Sequence, residues 1–269
     1  MSNTIRTLFS ATALVFIFVC GCKKKPVEEP TVQTSCETSY QVLFGTSAAT
    51  NEKTTVKYEN GQLKSISSSG VALAYQYSAE QVLVSTLGTA VYQIQLSDKL
   101  ASRIINLKDQ SEQRLSYDVN RNLVKIESYF DGKLSDVKML TYSGGNLTSL
   151  TQTYSDDPAV KRVTTFSYSN ELSSITQSET RFLFFGLLDL PVPLALTGSV
   201  SKNSLSGSLY TYTSGNFRSD ITKIYSYTRD GSNRLTKVVE DSHALTVSNG
   251  VQTQDERSKQ TILVNSSCN

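Results

Sequence analysis

Few side chains in this sequence have the types and spacing that chemistry requires. A single histidine, His243 in the stretch EDSHALTV, offers a base or a metal ligand. Nucleophilic hydrolysis needs an activated nucleophile, a base and a group that orients the base. Neither G-x-S-x-G nor H-E-x-x-H accompanies His243, and no second histidine exists. Two S-x-x-K matches, Ser199 to Lys202 and Ser135 to Lys138, stand in a serine-rich chain without the companion motifs of penicillin-binding enzymes. Asp118-Val119-Asn120-Arg121-Asn122 has the oxygen spacing that begins a calcium loop, yet Leu123 stands where such a loop needs glycine. It reads as a turn, as does the acidic pair Asp156-Asp157 before Pro158. Two carboxylates flanking a sugar, as glycosidases use, have no signature here. No catalytic residue, metal or cofactor is assigned, and the chain is not expected to be an enzyme.

The elements that would position any site begin after a distinctive N-terminus. The apolar run LFSATALVFIFV is too short for a membrane-spanning helix, which needs about 20 residues, but it suits the core of a secretory signal. It leads into Val19-Cys20-Gly21-Cys22, which resembles the lipobox of bacterial lipoproteins. That resemblance implies cleavage after residue 21, lipidation of Cys22 and membrane attachment through acyl chains. Residues 22–35 follow as a charged, proline-bearing stretch that cannot bury enough surface to fold and reads as a tether. Of the 26 cationic and 24 anionic residues, Arg6, Lys23, Lys24, Lys25, Glu28 and Glu29 lie in these segments, leaving 22 of each sign in a single domain over 36–269. A neutral domain argues against nucleic acid as a partner, since phosphate binding needs a basic face. Cys36 and Cys268 remain at its two ends, a disulfide candidate in an oxidising compartment.

Between those cysteines the chain repeats itself. KYENGQLKSI, QYSAEQVLVS, SYDVNRNLVKI, TYSGGNLTSL, SYSNELSSI, TYTSGNFRSDI and SYTRDGSNRLTKVV each set a tyrosine, a short Gly/Asn/Asp/Ser tip and an apolar residue in order. The tyrosines are Tyr58, Tyr77, Tyr117, Tyr142, Tyr168, Tyr212 and Tyr227, and a weaker copy at 94–104 has Leu96 in the tyrosine place. Tyrosine suits a pleated surface and Asn-Gly or Asp-Gly supplies the positive φ of tight turns, so each unit is expected to be a β-hairpin. Residues 97–107 also fit a helical face but are read as strand. The spacing breaks between Tyr168 and Tyr212, where an insertion over about 178–204 contains FLFFGLLDLPVPLALTG. Its prolines forbid a continuous helix. Two readings stay open for Phe182, Phe184, Phe185, Leu187 and Leu188: a plug filling a rolled sheet, or the wall of an apolar-ligand cavity.

SYDVNRNLVKI and TYSGGNLTSL resemble the YD repeats of RHS-type proteins, which form successive hairpins in a curled sheet. The order of hairpins, apolar interruption and Ser-Lys-Asn stretch resembles a group of Bacteroidota envelope lipoproteins of unknown function. The expected fold is therefore all-β: an antiparallel meander of about seven to eight hairpin repeats in a curled or partly closed sheet. The expected role is a lipid-anchored envelope protein that binds or scaffolds, with an envelope protein or an apolar ligand as partner. A glycan-binding or glycan-processing role stands behind these, weakened by the absence of tryptophan. Lys23, Lys24 and Lys25 occupy the places where surface-exported lipoproteins of that group carry acidic residues. The expected location is thus the outer membrane, facing the periplasm.

Overall fold

A computed structural model of the protein describes residues 35–44, 53–68, 70–172, 192–198 and 201–268. They form sixteen strands and one 3-10 turn. The strands are β1 (Ser35–Phe44), β2 (Lys53–Glu59), β3 (Gln62–Ser68), β4 (Val71–Tyr77), β5 (Gln81–Thr86), β6 (Thr89–Ser97), β7 (Leu100–Asn106) and β8 (Glu112–Tyr117). They continue with β9 (Leu123–Phe130), β10 (Lys133–Ser143), β11 (Asn146–Tyr154), β12 (Lys161–Leu172), β13 (Asn203–Ser214), β14 (Phe217–Arg229), β15 (Leu235–Ser248) and β16 (Val251–Cys268). The turn, Leu194–Leu196, lies between β12 and β13.

Each strand pairs antiparallel with its sequence neighbours, and β1 pairs with β16, so the sheet is a closed barrel. This corrects the expected curled or partly closed sheet of seven to eight hairpins. The missing step was the pairing of β1 with β16 over nine residues, from Cys36 opposite Cys268 to Phe44 opposite Gln260. Closure satisfies the backbone N–H and C=O groups that two open edges would leave unpaired. Cys36 and Cys268 are joined by a disulfide within this last ladder.

Side chains alternate between two faces of a strand, and directly paired residues share a face. The pairs Tyr40–Val264, Tyr75–Val84, Val82–Ile94, Leu115–Ile126, Leu140–Leu150 and Val238–Ile262 are all buried, which defines the inside. The barrel is thus filled by its own apolar side chains over much of its length.

The repeat tyrosines gather at one end. Tyr58, Tyr77, Tyr117, Tyr142, Tyr168 and Tyr227 each close the first strand of a hairpin there, with Leu96 in the same place on β6. A register shift accompanies Tyr58, Leu96, Tyr117, Tyr142 and Tyr168. The hydroxyls of Tyr117, Tyr168 and Tyr227 donate to the carbonyls of Ala101, Leu147 and Leu205, on the preceding strand each time. That explains the residue type: the ring fills the core while its O–H finds an acceptor beside a bulge. Tyr212 does not belong with them. It lies on β13 before the Gly215 turn, at the far end of the barrel.

Candidate functional site

The described part of the insertion caps the tyrosine end. Val192 and Pro193 are buried, and Tyr117 also donates to the Leu196 carbonyl at 3.2 Å. Gly198 bridges Asn122 with φ +87°, and a Cβ there would lie 2.0 Å from the Arg121 carbonyl oxygen. Beyond it, Ser201 Oγ accepts from the Leu147 amide at 3.1 Å and lies 2.9 Å from the Tyr168 hydroxyl. Lys202 N donates to Gly145 O, and Asn146 and Asn203 bond to each other. A cavity of about 380 Å³ remains between this cap and Tyr58, Leu63, Tyr77 and Leu96. Phe182, Phe184, Phe185, Leu187 and Leu188 lie outside the described residues, as does Cys22.

The sequence-level candidates for chemistry fall apart in space. His243 is on the outer face of β15, where its Nε2 lies 2.7 Å from Asp255 Oδ1 on β16. That hydrogen bond holds the Asp255 carboxyl below its ordinary range. Asp118 accepts from the amides of Asn120 and Asn122 and from the Asn122 side chain, all within its own hairpin tip. Those bonds, the Asn122 side chain first, lower its pKa, and they occupy the oxygens that a cation would need. Among the described residues no cluster of His, Cys, Asp and Glu is arranged for a metal ion. Ser135 donates to the carbonyl of Ser128 and to Asp136, not to Lys138.

A different group converges inside the far half of the barrel, lining a cavity of about 390 Å³. Its wall includes Tyr92, Ile104, Asn106, Gln113, Ser128, Phe130, Asp136, Lys138 and Gln152. Register places them inward: Gln113 faces Ser128, Ser128 faces Asp136, Lys138 faces buried Ile126, and Gln152 faces Lys138. Lys138 is 5% exposed and makes no hydrogen bond or ion pair with any described residue. Asp136 is engaged, accepting from Gln152 Nε2 at 3.0 Å and Ser135 Oγ at 3.3 Å. One strand further, Arg162 faces Gln152 and sits between the rings of Tyr154 and Tyr212, at 5.2 and 5.7 Å. Its Nε is buried with no hydrogen-bond partner. By contrast Lys223, also inward, pairs with Glu240 at 2.9 Å.

Neither Lys138 nor Arg162 stood out in the sequence, although a signal was present. Asp136, Lys138, Leu140 and Tyr142 share one parity, as do Arg162, Thr164, Phe166 and Tyr168. A charge in phase with a repeat tyrosine points inward.

Among the described residues the outer face is mainly polar. Glu37 meets Lys57, Glu112 meets both Arg103 and Arg114, Lys125 meets Glu127, Arg218 meets Asp220, and Asp241 meets Lys259. Apolar residues such as Leu83, Ile105, Val137 and Val239 are scattered among them rather than gathered in a belt.

Closed antiparallel barrels of this size define a porin-like class of fold. A porin-like protein from Bacteroides uniformis is similar to this chain at a TM-score of 0.60 and 15% identity, covering 87% of this chain and 97% of that one. OccK5 (OpdH) of Pseudomonas aeruginosa aligns over 88% of this chain and 98% of its own at 8% identity, but its TM-score of 0.21 carries no weight. No family model matches the chain, and no curated protein does.

Proposed function

We propose that the chain is a lipid-anchored envelope protein whose barrel stands in water beside the outer membrane and binds a small ligand in its interior, without catalysis. The observation that carries this reading is the polarity of the two faces. A membrane-spanning barrel turns an apolar band outward and keeps a polar lumen, and each Lys or Arg at the bilayer midplane costs about 2–4 kcal/mol. Here ion pairs run over an outside with only scattered apolar residues, and apolar side chains fill much of the inside. The likeness to a porin-like protein is therefore one of fold, and a conducting pore is not the function this arrangement favours.

Membrane attachment then falls to Cys22, and the periplasmic face follows from Lys23, Lys24 and Lys25. The cap at the tyrosine end leaves the far end as the entrance for a ligand. The test is fractionation of cells carrying Cys22→Ser: the barrel is expected in the soluble periplasmic fraction, whereas retention in the membrane would refute the proposal. A second reading, carriage of an apolar ligand, is supported by the cavity beside Pro193 and Leu196. Lipid recovered by mass spectrometry from the purified chain would favour it, and consistently empty preparations would end it.

A further inference from the structure

A cationic head with no protein partner, carried into a cavity on a buried stem, is free to hold an anion that enters beside it. Lys138 is in this position, 5% exposed on the wall of the far cavity. Asp136, the nearest inward carboxylate on its own strand, is instead held by Gln152 and Ser135. The neighbouring inward cation on the same transverse row, Arg162, carries a buried Nε with no acceptor. Two cations thus flank Gln152, neither ion-paired with a carboxylate of the described residues, about 10 Å apart at their Cα atoms given the spacing of strands. Long side chains cross that distance easily.

The rest of the wall narrows the ligand. Gln113 and Gln152 carry amide donors and acceptors, Asn106 keeps its amide N–H donors while its Oδ1 accepts from the Lys108 amide, and the Asp136 carboxylate accepts. Side-chain amides beside a carboxylate match neighbouring hydroxyl groups, which each donate and accept. Tyr92 and Phe130 add flat apolar surface of the kind that covers the C–H face of a sugar ring. We propose that this cavity binds an acidic sugar, with Lys138 holding its carboxylate and Asn106, Gln113, Asp136 and Gln152 meeting its hydroxyls. Arg162 supports the anion from one strand away. This rests on the reading of the barrel as a ligand-binding vessel and names the class of ligand.

Titration calorimetry of the full chain with glucuronate and galacturonate, set against neutral glucose and galactose, tests it. The acids are expected to bind at least tenfold more tightly than the neutral sugars. Lys138→Met is expected to weaken acid binding tenfold or more, in line with a charge-assisted hydrogen bond, and Arg162→Met by a few-fold. Equal binding of acid and neutral sugars, no binding of either acid, or an unaffected Lys138→Met variant would each overturn it. Should a variant fail to fold, the native chain still decides: glucuronate should slow reductive methylation of Lys138 several-fold and leave Lys57 unchanged. Equal rates at Lys138 with and without glucuronate would reject the site. A chain that is released by Cys22→Ser yet binds neither acid would lose this inference alone.

Discussion

At Lys138 a buried stem carries an ammonium to the far cavity, with Ile126 on one side and Gln152 on the other. A methionine there keeps the stem's packing and removes the unpaired charge. Lys138→Met should therefore leave the urea midpoint unchanged or raise it slightly, by up to about 1 kcal/mol, even as binding is lost. A purely structural lysine would give the opposite sign. The interior tyrosines make a second expectation. Burial, the leading cause each time, pushes Tyr142 and Tyr225 up to about 12 and moves Tyr117 and Tyr227 in the same direction. An unfolded tyrosine ionises near 10, so the fold holds protons that the unfolded chain releases above that pH. Their stabilising contribution is complete below about pH 10 and fades as pH rises toward 12 and beyond. Urea midpoints should fall across that window while tyrosinate absorbance lags behind that of free tyrosine. Simple titration near 10 with unchanged midpoints would contradict the burial of these rings.

Among the elements, residues 192–198 and 201–203 bind hairpin tips that lie far away in sequence. Gly198 is their tightest point, because backbone rather than a yielding side chain meets any added Cβ. Gly198→Ala should cost about 2 kcal/mol or more in urea unfolding and speed proteolysis near that segment; an unchanged midpoint would show the cap to be loosely seated. The hairpins themselves were legible, since tyrosine, Asn-Gly and Asp-Gly signals act locally. Asn60-Gly61 and Gly144-Gly145 both take positive φ at their tips. The assignment of Tyr212 to the repeat was wrong because TYTSGNF copies the tip composition but turns at the opposite end. Hairpin chemistry is the same at both ends, and what distinguishes Tyr117, Tyr168 and Tyr227 is the carbonyl on the preceding strand that each hydroxyl reaches. Leu96 is the converse: it fills a tyrosine place without the hydroxyl. The polar cavity has no motif in the sequence because Asn106, Gln113, Lys138 and Gln152 come from four strands. Closure is hidden for a similar reason, as pairing between the first and last strands leaves no local trace beyond two cysteines.

For the whole molecule, the Cys36–Cys268 bond ties ends 232 residues apart. Closing so long a loop contributes up to about 5 kcal/mol on the chain-entropy model. Replacing both cysteines with serine should lower the urea midpoint markedly, with the β1–β16 ladder opening first in hydrogen exchange. A midpoint unchanged by the double replacement would show that the ladder alone holds the seam. The central claim concerns which medium surrounds the barrel. Lys57 and Lys125 lie on its outer face, 57% and 36% exposed, while Lys138 faces inward. A membrane-impermeant amine reagent, applied to lysed-cell membranes carrying the full chain and read by peptide mass spectrometry, probes all three together. Rapid labelling of Lys57 and Lys125 with protection of Lys138 is the expected result. Protection of Lys57 and Lys125 by the bilayer, reversed on adding detergent, would show a spanning barrel and contradict it.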